Sequence, residues 1–250
     1  MQDLKISLIT VAYNAQDTIE NCIASVLRQR CSNLQYIVID GGSTDNTIQI
    51  INKYKEKIDV LITEPDHGIY DAMNKGIAQA TGDIIGTLNA DDCFADDSIL
   101  NDVMEVFSEK DNNILYGNLD YIDRNGKTIR KWRSAKYKSG MFNWGWMPAH
   151  PTFYCRRKLF DELGAYKLDY GSAADYELML RFIHDKNNKF HIYYLDKVMV
   201  KMMTGGISNK NFGNRVKAIG NDLKAMRNNG ILLPVITIIF KPLRKILQFF

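Results

Sequence analysis

The chain has 250 residues, 46% of them hydrophobic, and a formal charge of +3, which suits one large α/β domain or one domain with a short appendage. No stretch approaches the roughly 18 consecutive apolar residues of a membrane span. Cys22, Cys31, Cys93 and Cys155 are scattered, without metal-type pairing, which excludes a disulfide framework and indicates reduced thiols in a cytosolic compartment.

In chain order, Lys5–Ala12 reads as a buried strand, not a signal peptide, because it lacks a basic leader and runs into a turn and helix. Ile19, Ile23, Val26 and Leu27 then share a helix face. Leu34–Asp40 is the second strand, followed by a helix that Ser43 can cap. Ile58–Glu64 and Asp83–Asn89 are further strands, each followed by a helix, over Ile69–Ala80 and Asp96–Phe107. Strands alternating with helices imply a parallel sheet with right-handed crossovers. Beyond residue 110, Ile114–Asp123 and Thr128–Trp132 form a hairpin, 174–186 a helix, Phe190–Met202 a strand and 213–229 a helix. The expected organisation is a domain over 1–230, with 1–110 on the donor side and 111–230 on the acceptor side, then a tail over 231–250.

The tail differs electrostatically from the body. From residue 201 on, nine basic residues face one acid, a surplus of eight, so residues 1–200 carry −5 of the whole-chain +3. Ile231–Phe240 is nearly all apolar and is followed by Lys241, Arg244 and Lys245. Such a segment can lie in an anionic membrane interface, or pack on the domain or on a second subunit. The first reading makes the protein cytoplasmic and peripheral on the inner face of the cell membrane. No nucleic-acid partner is expected.

Ligands of open α/β sheets sit beyond the carboxyl ends of the strands. Polar residues gather there: Thr10, Tyr13 and Asn14; Asp40, Gly41, Gly42 and Ser43; Glu64, Asp66 and His67; Asn89, Asp91 and Asp92. Asp40 can accept from a uracil imide or cap the next helix, and both roles are open. Asp91 and Asp92 suit a hard cation, Mg²⁺ or Mn²⁺, which favours one or two carboxylates plus phosphate oxygens.

Four segments carry a resemblance: Val11-Ala12-Tyr13-Asn14, Asp40-Gly41-Gly42-Ser43-Thr44-Asp45, Asp71-Ala72-Met73-Asn74-Lys75-Gly76 and Leu88-Asn89-Ala90-Asp91-Asp92. Together they resemble the family-two glycosyltransferases of GT-A fold, notably the bacterial exopolysaccharide and O-antigen branch. The resemblance implies a Rossmann-like nucleotide-binding sheet with a smaller acceptor-side subregion and an amphipathic helical tail. Thr10, Ala12, Tyr13 and Asn14 would meet the base or ribose, with Asp40, Gly42 and Ser43. Asp71, Asn74 and Lys75 would lie near the diphosphate, and Asn89, Asp91 and Asp92 would hold ribose and metal. Asn89 stands where the family often has Asp.

On the acceptor side Ala173-Ala174-Asp175-Tyr176-Glu177 resembles the segment holding the family's base. Asp175 is at the matching position, Ala174 replaces the usual Glu, and Glu177 is a weaker candidate. His150 resembles a position near the acceptor. Trp144 and Trp146 can stack on acceptor sugars or meet lipid headgroups, or one can be core. Gly205-Gly206-Ile207-Ser208 is either a loop closing over the donor or a simple turn.

The expected activity is inverting, non-processive transfer from a nucleotide diphosphate-sugar, UDP-linked by preference, to an acceptor hydroxyl on a lipid-linked saccharide. A glycoside hydrolase needs two carboxylates but no nucleotide pocket. A pyrophosphorylase would carry a Gly-rich, Arg-containing first loop, and a processive synthase Gln-x-x-Arg-Trp with membrane spans. A non-catalytic nucleotide-sugar binder or membrane scaffold is the rival from another class, and retention of Asp92 and Asp175 argues against it.

Overall fold

The computed structural model describes residues 4–109, 112–184, 189–204, 212–246 and 248. Strand β1 (Ile6–Ala12) is buried along its whole length and pairs in parallel with β2 (Leu34–Asp40) on one side. On its other side it pairs in parallel with β4 (Ile84–Asn89), while β3 (Val60–Thr63) extends the parallel set beyond β2. Helices α1 (Ile19–Leu27), α2 (Thr47–Asn52) and α3 (Ile69–Gln79) make the crossovers. The strand order 3-2-1-4 means that the chain builds outward from β1 and then returns to its other side. The carboxyl ends of β1 and β4 therefore flank a topological switch point, where such sheets bind ligands.

Alternate side chains of a strand point to opposite faces, so both faces of β1 need cover. Ile6 and Leu8 meet Ile19, Ile23 and Val26 of α1 and Leu100 of α4 (Ile99–Ser108). Ile9 and Val11 join the opposite cluster with Ala72 and Met73 of α3. Two-sided cover is why these strands read as continuous apolar runs.

Past β4 the sheet becomes mixed. Strand β8 (Tyr154–Arg156) lies antiparallel to β4 and to β6 (Asn112–Ile122). Strand β9 (His191–Met203) runs parallel to β6, and β5 (Asp92–Phe94) pairs antiparallel with β9. Strand β7 (Thr128–Trp132) completes the anticipated hairpin with β6. Neither β5, β8 nor α5 (Lys158–Leu163) is anticipated in the sequence, because three- to six-residue elements carry too little periodicity. Helix α4 starts at Ile99, later than expected, because Asp96 makes its own turn, accepting from the Ser98 amide at 2.8 Å. Likewise Asp59 accepts from the Tyr36 amide at 2.7 Å, which delays β3 until Val60.

Helices α6 (Ala174–Ile183), α7 (Phe212–Asn228) and α8 (Pro234–Ile246) follow, with α6 in the core. One face of α8 packs on the protein: Thr237 donates to the Asn143 carbonyl at 2.7 Å and Lys241 pairs with Asp222 at 2.8 Å. Its other face exposes Val235, Ile236, Ile239 and Leu243, continuing from Leu232, which is 79% exposed. No helix among the described residues is long and apolar enough to cross a membrane.

The junction between the first four strands and the rest depends on one small residue. Gly86 of β4 lies opposite Tyr154 of β8, and a Cβ at Gly86 would stand 2.1 Å from the Tyr154 ring. Since Tyr154 is fully buried, the ring has nowhere to retreat. Gly86→Ala should therefore lower stability by about 1–3 kcal/mol, the usual cost of overpacking. Urea denaturation measures it, and an unchanged midpoint would show that the β4–β8 contact is slack.

Candidate active site

The turns after β1 and β2 are knitted together by side chains. Asn14, at φ +48°, donates from its amide to Ser43 Oγ at 2.9 Å, and its Oδ1 accepts from the Thr44 amide at 2.9 Å. Asn tolerates this left-handed conformation better than most residues. Asp40, fully buried, accepts from Ser43 Oγ at 2.5 Å and from the Ser43 amide at 3.1 Å. Asp40 thus closes the turn after β2 and does not cap α2, which begins at Thr47, and a carboxylate retains further lone pairs for a ligand. Gly42 completes the turn at φ +79°, a conformation that costs other residues strain. Ala12 is buried and accepts the Gly41 amide at 2.9 Å, while Tyr13 is exposed beyond it. Thr10 corrects the sequence reading. It is fully buried on the α1 face, its hydroxyl 3.2 Å from the Tyr36 hydroxyl, so it braces the floor and does not face a ligand.

Helix α3 has two working faces. Asp71 and Lys75, one turn apart, face the loop after β3: Asp71 accepts from the His67 amide at 3.0 Å, and Lys75 reaches Glu64 at 2.8 Å and the Pro65 carbonyl at 2.9 Å. Asn74 is a second correction. Its amide donates to the Tyr166 carbonyl at 2.8 Å and accepts from the Tyr166 amide at 2.9 Å. Both ends of that side chain are committed to the Tyr166 backbone in the second half of the chain.

At the end of β4, Ala90 donates to the Val11 carbonyl at 3.1 Å, which brings Asn89, Asp91 and Asp92 to the switch point. Asp92 opens β5 and is 2% exposed. Burial, and then the charge of Asp91, push the Asp92 carboxyl well above the usual range, and burial also raises Asp91. Asn89 Nδ2 donates to Asp92 Oδ2 at 3.3 Å, leaving Asn89 Oδ1 and Asp92 Oδ1 as buried acceptors with no donor among the described residues. Two orphaned oxygens beside a second carboxylate form an all-oxygen donor set, which fits a hard cation. No cluster of three or more His, Cys, Asp or Glu among the described residues could hold an ion by itself. A cation here would need further oxygens from its ligand.

On the acceptor side Asp175 sits half-buried in the first turn of α6, accepting from the Tyr176 amide at 2.7 Å. Glu177, the weaker candidate base, is fully buried and bound by Arg181 at 2.9 Å and Lys167 at 3.3 Å. Arg181 also donates to the carbonyls of Leu163, Gly164 and Ala165, so this ion pair anchors the turn after α5. A carboxylate so tied has no free lone pair at a reaction centre. His150 is buried, 2.7 Å from the Tyr166 hydroxyl. Burial lowers its pKa, against the opposing charge of Asp175, so the imidazole is neutral.

The tryptophans separate. Trp146 is 4% exposed and donates to the Ser134 carbonyl at 2.5 Å, so it is core and cannot stack on a sugar. Trp144 is 57% exposed and meets Phe240 of α8 edge-on. Gly205-Gly206-Ile207-Ser208 lies outside the described residues. Tyr70 and Tyr166 were not singled out in the sequence, yet they stack at 5.3 Å beside Asp175. Tyr70 stands four residues before Asn74, next to the Asp71–Gly76 motif, and that spacing marks a shared helix face.

Comparison with known proteins bears on the family and the fold. The glycosyl transferase family 2 model matches residues 7–164. A PGL/p-HBAD biosynthesis glycosyltransferase of Mycobacterium bovis is 31% identical over 179 residues, covering 70% of this chain and 68% of the relative. Among solved structures, S. aureus TarS superposes with TM-score 0.67 at 19% identity, over 90% of this chain and 39% of its own. Its 1–349 fragment in complex with UDP-GlcNAc gives 0.65 at 18% identity, over 92% of this chain and 72% of the fragment. The mannosyltransferase PcManGT of Pyrobaculum calidifontis, in complex with GDP-Man and Mn²⁺, gives 0.64 at 15% identity, over 96% of this chain and 72% of its own. At these identities the structures speak for a shared GT-A-like fold, with its curled, mostly parallel sheet flanked by helices. The family match and the mycobacterial relative go further: the chain belongs to glycosyl transferase family 2.

Proposed function

We propose that the protein is an inverting, non-processive glycosyltransferase that moves one sugar from a nucleotide diphosphate-sugar to an acceptor hydroxyl, with Asp175 as the base. The observation that carries this reading is the contrast between two neighbouring carboxylates. Glu177 is locked to Arg181 and Lys167, whereas Asp175 has no ion-pair partner among the described residues and is half-open. In the proposed step the acceptor oxygen attacks the anomeric carbon and its proton passes to Asp175. The bond from that carbon to the diphosphate oxygen breaks, and the nucleoside diphosphate leaves. One in-line displacement with one base inverts the centre.

Residues 1–110 would hold the donor, with Asn14, Asp40, Gly42 and Ser43 toward the nucleoside and Asp71 and Lys75 toward the diphosphate. A buried acceptor at Asp40 suits a uracil imide, so UDP-sugars are favoured, and a TarS fragment in complex with UDP-GlcNAc supports that choice. Asp91 and Asp92, with Asn89, would hold Mg²⁺ or Mn²⁺, which when bound offsets the diphosphate charge as a Lewis acid. Residues 111–230 would take the acceptor. The exposed apolar face of α8 and the basic surplus around it support contact with anionic lipid, hence a lipid-linked saccharide acceptor and a peripheral place on the inner face of the membrane.

Three measurements test the parts. Asp175→Asn should lower UDP release from UDP-sugars by about 10²–10⁴-fold, as loss of a general base does, while UDP binding and melting temperature persist. Near-normal turnover in that variant would remove Asp175 from the mechanism. Asp91→Ala is a cleaner metal test than a change at the more buried Asp92. It should abolish Mn²⁺- or Mg²⁺-stimulated turnover, and full wild-type activity in excess chelator would contradict metal dependence. For the tail, Ile236→Glu with Ile239→Glu alters only exposed positions, so folding should survive. Co-sedimentation with phosphatidylglycerol vesicles should be lost, and sedimentation equal to wild type would refute the lipid contact.

A further inference from the structure

The β6–β7 hairpin and the run after it carry a concentrated positive charge that the candidate site does not use. From Arg124 to Lys138 seven of fifteen residues are basic and none is acidic, within residues 1–200 whose net charge is −5. Arg133 pairs with Asp120 at 2.6 Å, and Arg130 lies 4.4 Å over the Tyr121 ring. The other five, Arg124, Lys127, Lys131, Lys136 and Lys138, are exposed and have no ion-pair partner among the described residues. Edge strands often carry lysine to block pairing with other chains, and β7 pairs only with β6 among the described strands. That role ends with the strand at Trp132, whereas the basic run continues to Lys138. Strand β6 has the same sense as β4, because β8 is antiparallel to both. Its turn into β7 therefore falls on the carboxyl edge of the sheet, which also bears Asp40 and Asn89. Asp92, Met202, Tyr121 and Arg130 pair in succession across that part of the sheet. Arg130 thus stands three strand spacings, about 14 Å, from Asp92. Arg130 also donates from Nε to Gln248 at 2.8 Å. Gln248 comes five residues after Leu243, the last exposed apolar residue of the α8 stripe.

We propose that Arg124–Lys138 is an electrostatic dock for the phosphate groups of an anionic bilayer, joining the end of α8 to the carboxyl edge of the sheet. The proposal rests on the reading of the protein as peripheral on an anionic membrane. Binding of an amphipathic helix to such a surface scales with its buried apolar area plus attraction to anionic lipid. On α8 the two described bases are already engaged, Lys241 with Asp222 and Arg244 with the Trp144 carbonyl. The helix therefore supplies the apolar contribution, and the bases without partners stand on the hairpin. Clustered Lys and Arg near a membrane surface gain roughly fivefold in affinity per residue. Their long side chains keep the charge among the headgroups while the backbone stays clear of them. The consequence for the reaction is one of position. A bilayer held at the hairpin lies beside the same sheet edge as Asp91 and Asp92, so a saccharide carried on a lipid phosphate arrives where the donor is proposed to bind.

Arg124→Gln, Lys127→Gln and Lys131→Gln, combined in the full chain, remove three of these charges at exposed positions. Co-sedimentation with phosphatidylcholine vesicles containing phosphatidylglycerol should weaken about 100-fold, roughly fivefold for each charge. The melting temperature should match wild type, since none of the three side chains has an ion-pair partner to lose. Added NaCl should weaken wild-type binding more steeply than that of the variant. The charge-retaining set Arg124→Lys, Lys127→Arg and Lys131→Arg should bind as wild type, and its failure to do so overturns the role of charge. Binding of the glutamine set within twofold of wild type overturns the dock. An equal loss on vesicles of phosphatidylcholine alone does the same, because it would mark a change unrelated to lipid charge. Inorganic pyrophosphate should displace the protein no better than NaCl of equal ionic strength. Stronger displacement would make the hairpin a site for free phosphate and sink the bilayer assignment. If Ile236→Glu with Ile239→Glu still sediments while the glutamine set does not, the lipid reading of α8 fails and the dock stands. If wild type does not sediment with phosphatidylglycerol at all, both fall.

Discussion

The controlling constraint is the burial of β1 on both faces between β2 and β4. An unpaired charge inside such a strand would cost several kcal/mol, so the seven residues Ile6–Ala12 contain none. Polar chemistry can begin only where the strand ends, at Asn14. The same holds for β2, which ends on Asp40, and β4, which ends on Asn89. Because β1 is paired in register with both neighbours, Ala12 beside Asp40 and Val11 beside Asn89, those endings fall side by side. The site therefore lies where the paired strands end side by side, and Asp40, fully buried there, is compensated by the Ser43 hydroxyl and amide.

Buried carboxylates in this chain meet that cost in two ways. Glu177 is compensated within the protein by the Arg181 fork and Lys167, and the pair in turn fixes the 163–165 turn. Asp92 has only a 3.3 Å bond from Asn89, and its second oxygen is bare. A compensated carboxylate is structure, and an uncompensated one beside a second orphaned oxygen is the place for the proposed cation. Sequence position alone could not separate them.

That difference explains what was legible beforehand. The β1, β2 and β4 strands and helix α3 announce themselves through long apolar runs and one clear period, and they fall within a residue or two of their expected bounds. Their polar ends are legible for the same reason. Side-chain direction was not: Thr10 and Asn74 lie inside motifs that imply ligand contact, yet Thr10 faces α1 and Asn74 grips the Tyr166 backbone. A motif records which residues occur together, and strand or helix phase decides where each points. Trp146 was undecidable for a related reason, because its partner Ser134 lies at a distance in sequence that no local pattern links, and Glu177, four residues before Arg181, depends also on the distant Lys167.

Helix phase also accounts for the tail, where two readings had competed. On α8 the side chains at Thr237, Lys241 and Arg244 follow the three-to-four spacing of one face, and all three bond to the protein. Ile236, Ile239 and Leu243 follow the same spacing on the other face and remain exposed. Packing on the domain and presenting an apolar stripe are therefore not alternatives. The first is what orients the second: with Lys241 fixed to Asp222 and seated 3.5 Å over the Tyr176 ring, the helix cannot roll to hide its leucines and isoleucines. Tyr176 follows Asp175 in the chain. An apolar stripe held by that contact has a fixed direction relative to the carboxylate next to it.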